Sequence, residues 1–468
     1  MKILILLTLN RSFAALRTEL ELIQKHIKHK DEVFIYTCTN KLNWCLYNLD
    51  NKKSLCIECK TNFNCAKKQL QIPSQNIIFF EKNNVWKNIK PKLFKNVEDL
   101  KQFNPLNSKI GESIASILVS QFRDHNFNTK LHGKYINRII KTSITFYYDF
   151  VKKLMKINPD LVYIFNGRIP ISKQATMACQ NLKINFIQYE ASKDSFFLAA
   201  NKHFHSVDYL KETINKKWAS ENQQKNTITK QWFLLNKTNS YPKQMPHKMS
   251  SNIKKKVTTL LPKGFNLTKR NIAVFNSSND EYAVFPGWDN PIYKSDNNGL
   301  FKIFNEFKNN TDFIFYVRIH PNLKNLRNSQ ILELEKLESY GYKNVHFIKP
   351  KEKINSYELL SCCEKVITFG STIGAEAVFW GKPSILLGRS GYEDLGCCYI
   401  PKNHIDVVNH IKSFLTPKPP KTVFPLGYYY ATPNHKYRYI KSYDSFLKYS
   451  FQDKVLLKIS KFLNKINL

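Results

Sequence analysis

The alternation of short apolar runs with longer amphipathic stretches is the feature that most constrains the fold of this 468-residue chain. Runs such as Lys2–Leu7 and Leu161–Phe165 predict buried strands, and residues 13–29 predict a helix with one apolar face. The same alternation starts again near residue 271. Because a repeated strand–helix order is typical of open α/β sheets, the sequence predicts an α/β protein with two similar halves.

The other predicted elements follow the same pattern. Strands are predicted at residues 32–38, 76–80, 185–189, 271–275, 312–319, 344–348, 365–369 and 383–387. Helices are predicted at residues 172–182, 297–309, 328–341, 355–362, 373–380 and 403–415, and residues 108–157, 207–235 and 437–468 are largely helical in pattern.

Four segments follow from this pattern. Residues 1–240 are predicted to form an N-terminal Rossmann-like domain with a cysteine-rich insertion at 38–65. Residues 241–268 are polar, basic and rich in proline, which indicates a linker. Residues 269–416 are predicted to form a second Rossmann-like domain, and residues 417–468 a helical tail.

The charge balance restricts the classes of partner. The chain has 72 Lys and Arg against 36 Asp and Glu, a net charge of +36, but its lysines are scattered rather than gathered in a basic arm. Nucleic acid is therefore not the expected partner, and peripheral contact with an anionic membrane surface is favoured over it. In the last helix, Val455, Ile459, Phe462 and Ile466 share one face. That face is expected to pack on a domain, with a membrane surface as the alternative.

No apolar run reaches 18 residues, so no membrane-spanning helix is predicted. The apolar run at Lys2–Leu7 is short, lacks a small-residue cleavage site and reads as a strand rather than a signal peptide. A cytoplasmic protein is expected, with the inner face of the membrane as a place of association.

Five of the ten cysteines lie close together in the sequence. Cys56 and Cys59 have two residues between them, a gap that lets two thiolates bind one tetrahedral metal. Cys38 and Cys45 could complete a structural zinc site. The alternative is a loop that carries reduced thiols, since disulfides are not expected inside the cell.

The second half carries the strongest chemical signal. A strand ends in Arg318, followed by His320 and Pro321, and a later strand leads into Gly370, Ser371, Thr372 and Gly374. Ligands bind beyond the carboxyl ends of strands in such sheets, and the donors at a helix start favour a diphosphate. We expect His320, Ser371 and Thr372 to bind phosphate and Glu376 to accept from ribose hydroxyls. The alternatives are a plain helix cap at Ser371 and an ordinary loop histidine.

A second group of polar residues follows the strand at 271–275. Ser277, Ser278, Asp280 and Glu281 place two acids beside hydroxyl donors, which could bind a sugar or supply a base; an Asx-type helix cap is the alternative.

Strand ends in the first half carry Asn166, Arg168 and Glu190. Arg168 is suited to bind an anionic group, and Glu190 is a candidate acid or base because burial would raise its pKa. A surface ion pair and a strand-end cap are the respective alternatives.

Residues 311–390 resemble the donor-nucleotide domain of GT-B glycosyltransferases, above all the Kdo-transferase-like proteins of bacterial capsule synthesis. The resemblance rests on His320-Pro321, Ser371-Thr372, the Ser277–Glu281 segment, Asn166-Gly167-Arg168 and Glu190. It implies two Rossmann-like domains whose parallel sheets face a central cleft. Asn166, Arg168, Ser277, Ser278, Glu281, Arg318, Ser371, Thr372 and Glu376 would then bind the substrates, and Glu190, Asp280 and His320 would be catalytic.

The implied activity is transfer of a sugar from a CMP-, UDP- or GDP-linked donor to a surface or capsular glycan, or to its lipid-linked precursor. No Asp-x-Asp motif occurs, so no cofactor is expected to be required for catalysis. A sugar-nucleotide 2-epimerase and a glycerol-phosphate transferase share the motif order and remain alternatives. A non-catalytic basic protein that binds nucleic acid or lipid is the more remote one.

Overall fold

The computed structural model describes residues 1–8, 11–38, 40–70, 72–192, 194–220, 222–238, 261–262, 264–285, 287–432, 434–440 and 446–465, apart from the side chain of Trp86. Most of the predicted linker at 241–268 lies outside these ranges, and so does Ile466. Within them the chain forms two separate β-sheets covered by helices.

Every predicted strand forms, within two residues at each end. The strands are β1 (Lys2–Leu7), β2 (Glu32–Thr37), β3 (Ile77–Phe79), β4 (Leu161–Phe165), β5 (Asn185–Ala191), β6 (Ser195–Ala200), β7 (Arg270–Phe275), β8 (Phe313–Arg318), β9 (Val345–Ile348), β10 (Lys365–Thr368), β11 (Ser384–Leu386) and β12 (His435–Lys436). Strands β6 and β12 were not predicted from the sequence, and both pair antiparallel at one edge of the first sheet.

The helices that were predicted individually form within three residues at each end, whereas α2, α3 and α14 were not predicted individually. They are α1 (Phe13–Lys28), α2 (Lys53–Leu70), α3 (Val97–Lys101), α4 (Ile110–Phe122), α5 (Gly133–Ile157), α6 (Pro170–Asn181), α7 (Val207–Ala219), α8 (Lys225–Thr238), α9 (Asp296–Phe307), α10 (Ser329–Ser339), α11 (Ser356–Cys362), α12 (Ile373–Phe379), α13 (His404–Lys412), α14 (Phe424–Ala431) and α15 (Phe451–Lys465).

Each of the two sheets has a core of parallel strands. The first has the order β12-β6-β5-β4-β1-β2-β3, and the second the order β11-β10-β7-β8-β9. All neighbours in the second sheet are parallel. Strand β1 is apolar after its first residue, and β10 is buried along its whole length, because parallel sheets are covered on both faces. The predicted class, an α/β protein with two Rossmann-like parallel sheets, is confirmed.

The cysteine-rich insertion is a helix for much of its length rather than a loop. Helix α2 carries Cys56, Cys59 and Cys65, and Asn48 Nδ2 donates to Cys56 Sγ at 3.3 Å. Among the residues that the structure describes, no group of three or more His, Cys, Asp or Glu side chains is placed to hold a metal ion.

The predicted zinc ligands Cys38, Cys45, Cys56 and Cys59 are thus not gathered into such a group, and zinc binding stays a prediction. Cys45 has the other three thiols as electrostatic neighbours, but its own thiol is deeply buried, and this burial raises its pKa to about 12. Burial of this kind is typical of a cysteine that packs in the protein interior. None of the four cysteines forms a disulfide bond.

Helices α7 and α8 pack on the second half of the chain, although they lie inside the range predicted for the first domain. Phe233 of α8 stacks on Phe379 of α12 at 4.2 Å between ring centroids. Ile214 of α7 belongs to the same apolar cluster. The packing thus divides the two halves near residue 200, ahead of the predicted linker.

The tail returns to the first half. Strand β12 pairs with β6, and the buried carboxylate of Glu21 on α1 accepts the backbone N–H groups of Arg438, Tyr439 and Ile440 at 2.7–3.1 Å. Arg17 of the same helix donates to the carbonyl of Ile440 at 2.9 Å. A single buried carboxylate therefore holds three consecutive amides of the tail against α1.

Helix α15 packs in the opposite sense to the prediction. Asp453 and Ser460 are buried, and Ser460 Oγ donates to the carbonyl of Ser54 on α2 at 2.7 Å. Val455, Ile459 and Phe462, which were expected to pack, are exposed. The sequence period located the helix, but the polar side of the helix is the one that meets α2.

We expect Glu21→Ala to lower the free energy of unfolding by about 2–3 kcal/mol, because it leaves buried amides of the tail without an acceptor. Urea denaturation followed by far-UV circular dichroism measures this change. Glu335→Ala, at an exposed position on α10, is the matched control. Equal midpoints for the two variants would show that the tail is held by other contacts.

Glu19 makes stability fall as the pH rises. It is buried on α1, and burial raises its pKa from 4.5 to about 8, although Tyr189 Oη donates to it at 2.5 Å. The folded state then binds a proton that the unfolded state releases between about pH 4.5 and 8, so stability declines over this window.

We expect Glu19→Gln to remove this component, which has a slope of about 1.4 kcal/mol per pH unit at its steepest. Unfolding free energies of the variant and the parent, measured from pH 5 to 8, should converge at pH 5 and diverge in favour of the variant at pH 8. Parallel curves would refute the assignment.

Candidate active site

The carboxyl edge of the second sheet brings most of the predicted residues of that half together. Strand β7 lies between β8 and β10, and Phe275 at its end is in register with Arg318 and with Thr368. The loops that follow these three strands therefore leave the sheet side by side. They carry Ser277, Ser278, Asp280, Glu281, His320, Ser371 and Thr372.

The backbone of His320 is fixed by β7. Its N–H donates to Asn276 Oδ1 at 2.7 Å, and its Nδ1 accepts the backbone N–H of Asn322 at 3.2 Å. A neutral ring whose Nδ1 accepts carries its proton on Nε2, the tautomer that can donate to an anion. The Asn276 amide nitrogen is buried and has no hydrogen-bond partner among the described residues. Two donors of the kind that bind phosphate thus lie at neighbouring strand ends.

The Ser371 loop is held by packing within the second half. Gly370 has φ +132°, and a Cβ there would lie 2.5 Å from the carbonyl oxygen of Arg389. A Cβ on Gly374 would lie 2.5 Å from Thr368 Cγ2 and 2.6 Å from Tyr392 Oη. The two glycines therefore let the protein's own atoms pack close to this loop.

Helix α12 has only seven residues, so the dipole at its start is smaller than that of a long helix. Binding of an anion here would depend more on side chains. Ser371 is half-buried at the loop, while the hydroxyl of Thr372 is bonded to Glu376.

Glu376, which was predicted to bind ribose, is hydrogen-bonded within the protein. Its side chain is buried, accepts from Tyr357 Oη and from Thr372, and has its pKa raised by desolvation. In this structure Glu376 joins α11 to α12 and holds Thr372 in place. Its predicted contact with ribose stays a prediction.

Arg318, predicted to bind the donor, is turned into the loop after β9. Its guanidinium donates to the carbonyls of Lys349 at 2.6 Å and Glu352 at 3.2 Å, and burial lowers its pKa. The side chain therefore fixes a loop that borders the site.

Asp280 forms a bridge between the halves. It is buried, pairs with Arg123 at the end of α4 and accepts from Ser278 Oγ at 2.5 Å. Glu281 accepts from Asn322 Nδ2 at 2.5 Å. The carboxylate of Asp280 is thus already paired with an arginine in this structure, and its predicted role as a base stays a prediction.

The carboxyl edge of the first sheet holds a second polar cluster. Asn166 Nδ2 donates to Glu190 Oε2 at 2.6 Å and lies 3.0 Å from His205 Nε2. The same imidazole nitrogen is 3.6 Å from Glu190 Oε2. A buried carboxylate within reach of an imidazole is a group that can accept and pass on a proton.

Arg168 lies beside this cluster and is hydrogen-bonded to α4. Its guanidinium donates to Ser116 Oγ at 2.9 Å and Ser120 Oγ at 3.1 Å, and its Cζ lies 5.1 Å from the centre of the Phe285 ring. Desolvation lowers its pKa, and Glu190 is its electrostatic partner. In this structure Arg168 holds α4 beside Glu190, and its predicted role as an anion binder stays a prediction.

His205 was not predicted from the sequence. Its ring stacks on Phe285 of the second half at 4.7 Å between centroids, and its carbonyl accepts from Trp288 Nε1 at 2.8 Å. The Glu190 cluster therefore lies against the loop that follows β7. The density of histidines at 203–205, just after the unpredicted strand β6, is the one sequence signal that could have indicated it.

The site thus combines phosphate-type donors on one sheet edge with a carboxylate–imidazole pair on the other. Residues 192–410 match the sequence model of a family described as capsule polysaccharide biosynthesis protein. This match covers a little under half of the chain and agrees with the resemblance to capsule-synthesis proteins seen in the sequence.

Solved structures give more distant similarities. The β-Kdo 2,4 transferase of Thermosulfurimonas dismutans KpsC is 14% identical with a TM-score of 0.35, over 57% of this chain and 79% of that one. The β-Kdo 2,7 transferase of the same KpsC is 15% identical with a TM-score of 0.33, over 59% and 79%. The UDP-GlcNAc 2-epimerase of Methanocaldococcus jannaschii is 11% identical with a TM-score of 0.27, over 99% and 100%.

At these values the structural matches carry no conclusion about activity. A search of curated protein sequences gave no match. Among the described residues, no helix is both long enough and apolar enough to cross a membrane.

We expect Gly374→Ala to destabilise the protein by about 1–3 kcal/mol, because the new methyl group would overlap Thr368 and Tyr392. Thermal unfolding measures the effect. Gly133→Ala is the control, since the nearest atom to a Cβ there is 3.7 Å away. An unchanged midpoint for Gly374→Ala would mean that the loop adapts without cost.

Proposed function

We propose that the protein is a glycosyltransferase that moves a sugar from a CMP-, UDP- or GDP-linked donor onto a capsular or surface glycan, or onto its lipid-linked precursor. The observation that carries the proposal is that polar groups at the carboxyl edges of both sheets lie beside the loop that follows β7. His320 and Ser371 lie on loops either side of β7, and the Glu190–His205 pair lies against the loop that follows the same strand. The family match supports the reaction class.

The donor is held by the second half. His320 Nε2–H and the Ser371 hydroxyl donate to the phosphate oxygens, and the Asn276 amide is the third donor at this edge. Thr372 and Glu376 line the wall beside them. As the bond between the anomeric carbon and the phosphate oxygen breaks, the electron pair leaves with the phosphate, whose growing charge these donors stabilise.

The acceptor is activated by the first half. Glu190 removes the proton of an acceptor hydroxyl while that oxygen forms a bond to the anomeric carbon. Asn166 orients the carboxylate through its 2.6 Å hydrogen bond. His205 receives or returns the proton, since its Nε2 is within 3.6 Å of the same carboxylate oxygen.

The two halves of this proposal can be tested separately. A thermal-shift screen with CMP, CDP, UDP and GDP should identify one nucleotide that raises the melting temperature. His320→Ala and Ser371→Ala are expected to weaken binding of that nucleotide about tenfold each, since each removes a hydrogen bond to a charged group. Ser361→Ala, at an exposed serine of α11, is the matched control.

Glu190→Gln should leave nucleotide binding unchanged and lower kcat about 100-fold or more, because it removes only the base. The assay is nucleotide release from the matching sugar nucleotide, with and without capsular oligosaccharide or its lipid-linked precursor. Release that depends on the acceptor supports a transferase. Isomerisation of the donor alone, or full activity of Glu190→Gln, would contradict the proposal.

A further inference from the structure

Helix α15 presents an apolar stripe to solvent. At 100° per residue, Phe451, Val455, Ile459 and Phe462 fall within about 80° of the helix circumference. All four side chains are exposed, Phe451 by 84% and Phe462 by 62%. Exposed apolar stripes of this kind mark interaction surfaces, since single surface residues would be scattered.

The helix that carries the exposed stripe is fixed to the rest of the protein. Its opposite side packs on α2, where Ser460 Oγ donates to the Ser54 carbonyl and Tyr449 Oη, just before the helix, donates to Asn62 at 2.9 Å. Asp453 accepts from Ser450 at the start of the helix. These polar contacts fix the rotation of α15, so the apolar stripe is held outward.

Lysines flank the stripe. Lys454, Lys458, Lys461 and Lys465 are exposed and occupy the adjacent 60° or so of the helix. The acidic residue of the helix, Asp453, is buried on the other side. The outward surface of α15 therefore combines an apolar strip with four positive charges and carries no negative charge.

We propose that this surface of α15 docks the protein onto an anionic phospholipid membrane, with the apolar stripe in the headgroup boundary and the lysines on the lipid phosphates. The combination is that of an interfacial helix lying in the membrane plane. A second copy of the chain fits less well, because facing stripes would bring eight lysines together without a compensating acid.

Under the proposed function, the position of α15 places the docked membrane near the acceptor side of the chain. Helix α2, on which it packs, carries Glu58, which accepts from Arg11 Nε at 2.9 Å just beyond β1. A membrane at α15 would thus lie one helix away from the carboxyl edge of the first sheet, on the side of the chain assigned to the acceptor.

Vesicle flotation tests the docking itself without any assay of activity. The full chain should float with vesicles of phosphatidylcholine and phosphatidylglycerol at 3:1 and remain at the bottom with phosphatidylcholine alone. Ile459→Ser with Phe462→Ser should reduce the bound fraction at least tenfold. Leu131→Ser with Ile405→Ser, two exposed apolar residues elsewhere, is the matched control and should float like the parent.

Lys454→Gln, Lys458→Gln and Lys461→Gln should each weaken binding to the anionic vesicles about fivefold. Raising the salt concentration to 0.5 M should also weaken binding of the parent. Circular dichroism shows whether each variant folds. The proposal is overturned if the parent does not float, if Ile459→Ser with Phe462→Ser floats like the parent, or if light scattering shows a dimer that these two changes dissociate.

Discussion

The contact between His205 and the loop after β7 is the interaction on which the arrangement of the site depends. Its ring lies on Phe285 and its carbonyl accepts from Trp288, so the end of the first half is fixed against the start of the second. The Arg123–Asp280 pair ties the same loop to α4. Because both contacts end on one loop, a shift of that loop would move the carboxylate of one half relative to the phosphate donors of the other.

Several charged residues that mark strand ends in the sequence serve this arrangement rather than a ligand. Arg168 holds two serines of α4, Arg318 holds the loop after β9, and Asp280 is paired with Arg123. A buried charge is retained only where it is paired or hydrogen-bonded, so these side chains are committed to their partners. His320, Ser371 and Glu190 are the residues to which the proposed function assigns contact with the substrates.

The sequence predicted the strands well because parallel strands buried on both faces contain short apolar runs, as in β1 and in the last four residues of β7. It predicted which residues follow those strands, and therefore the edge at which His320 and Ser371 lie. It could not show the partner of Asp280, because Arg123 lies more than 150 positions away in the chain. It also missed the direction of α15, since helical period shows that a helix has two sides but not which side finds a neighbour.

The path of the chain makes the two halves inseparable. Helices α7 and α8 come from the first half of the sequence but complete the core around α12, and the tail crosses back so that Glu21 can hold residues 438–440. A gene cut at the polar segment after α8 would produce two fragments that each lack a wall of their own interior. Such a topology also limits how far the two halves can move apart, because any opening must bend two connecting segments of the chain at once.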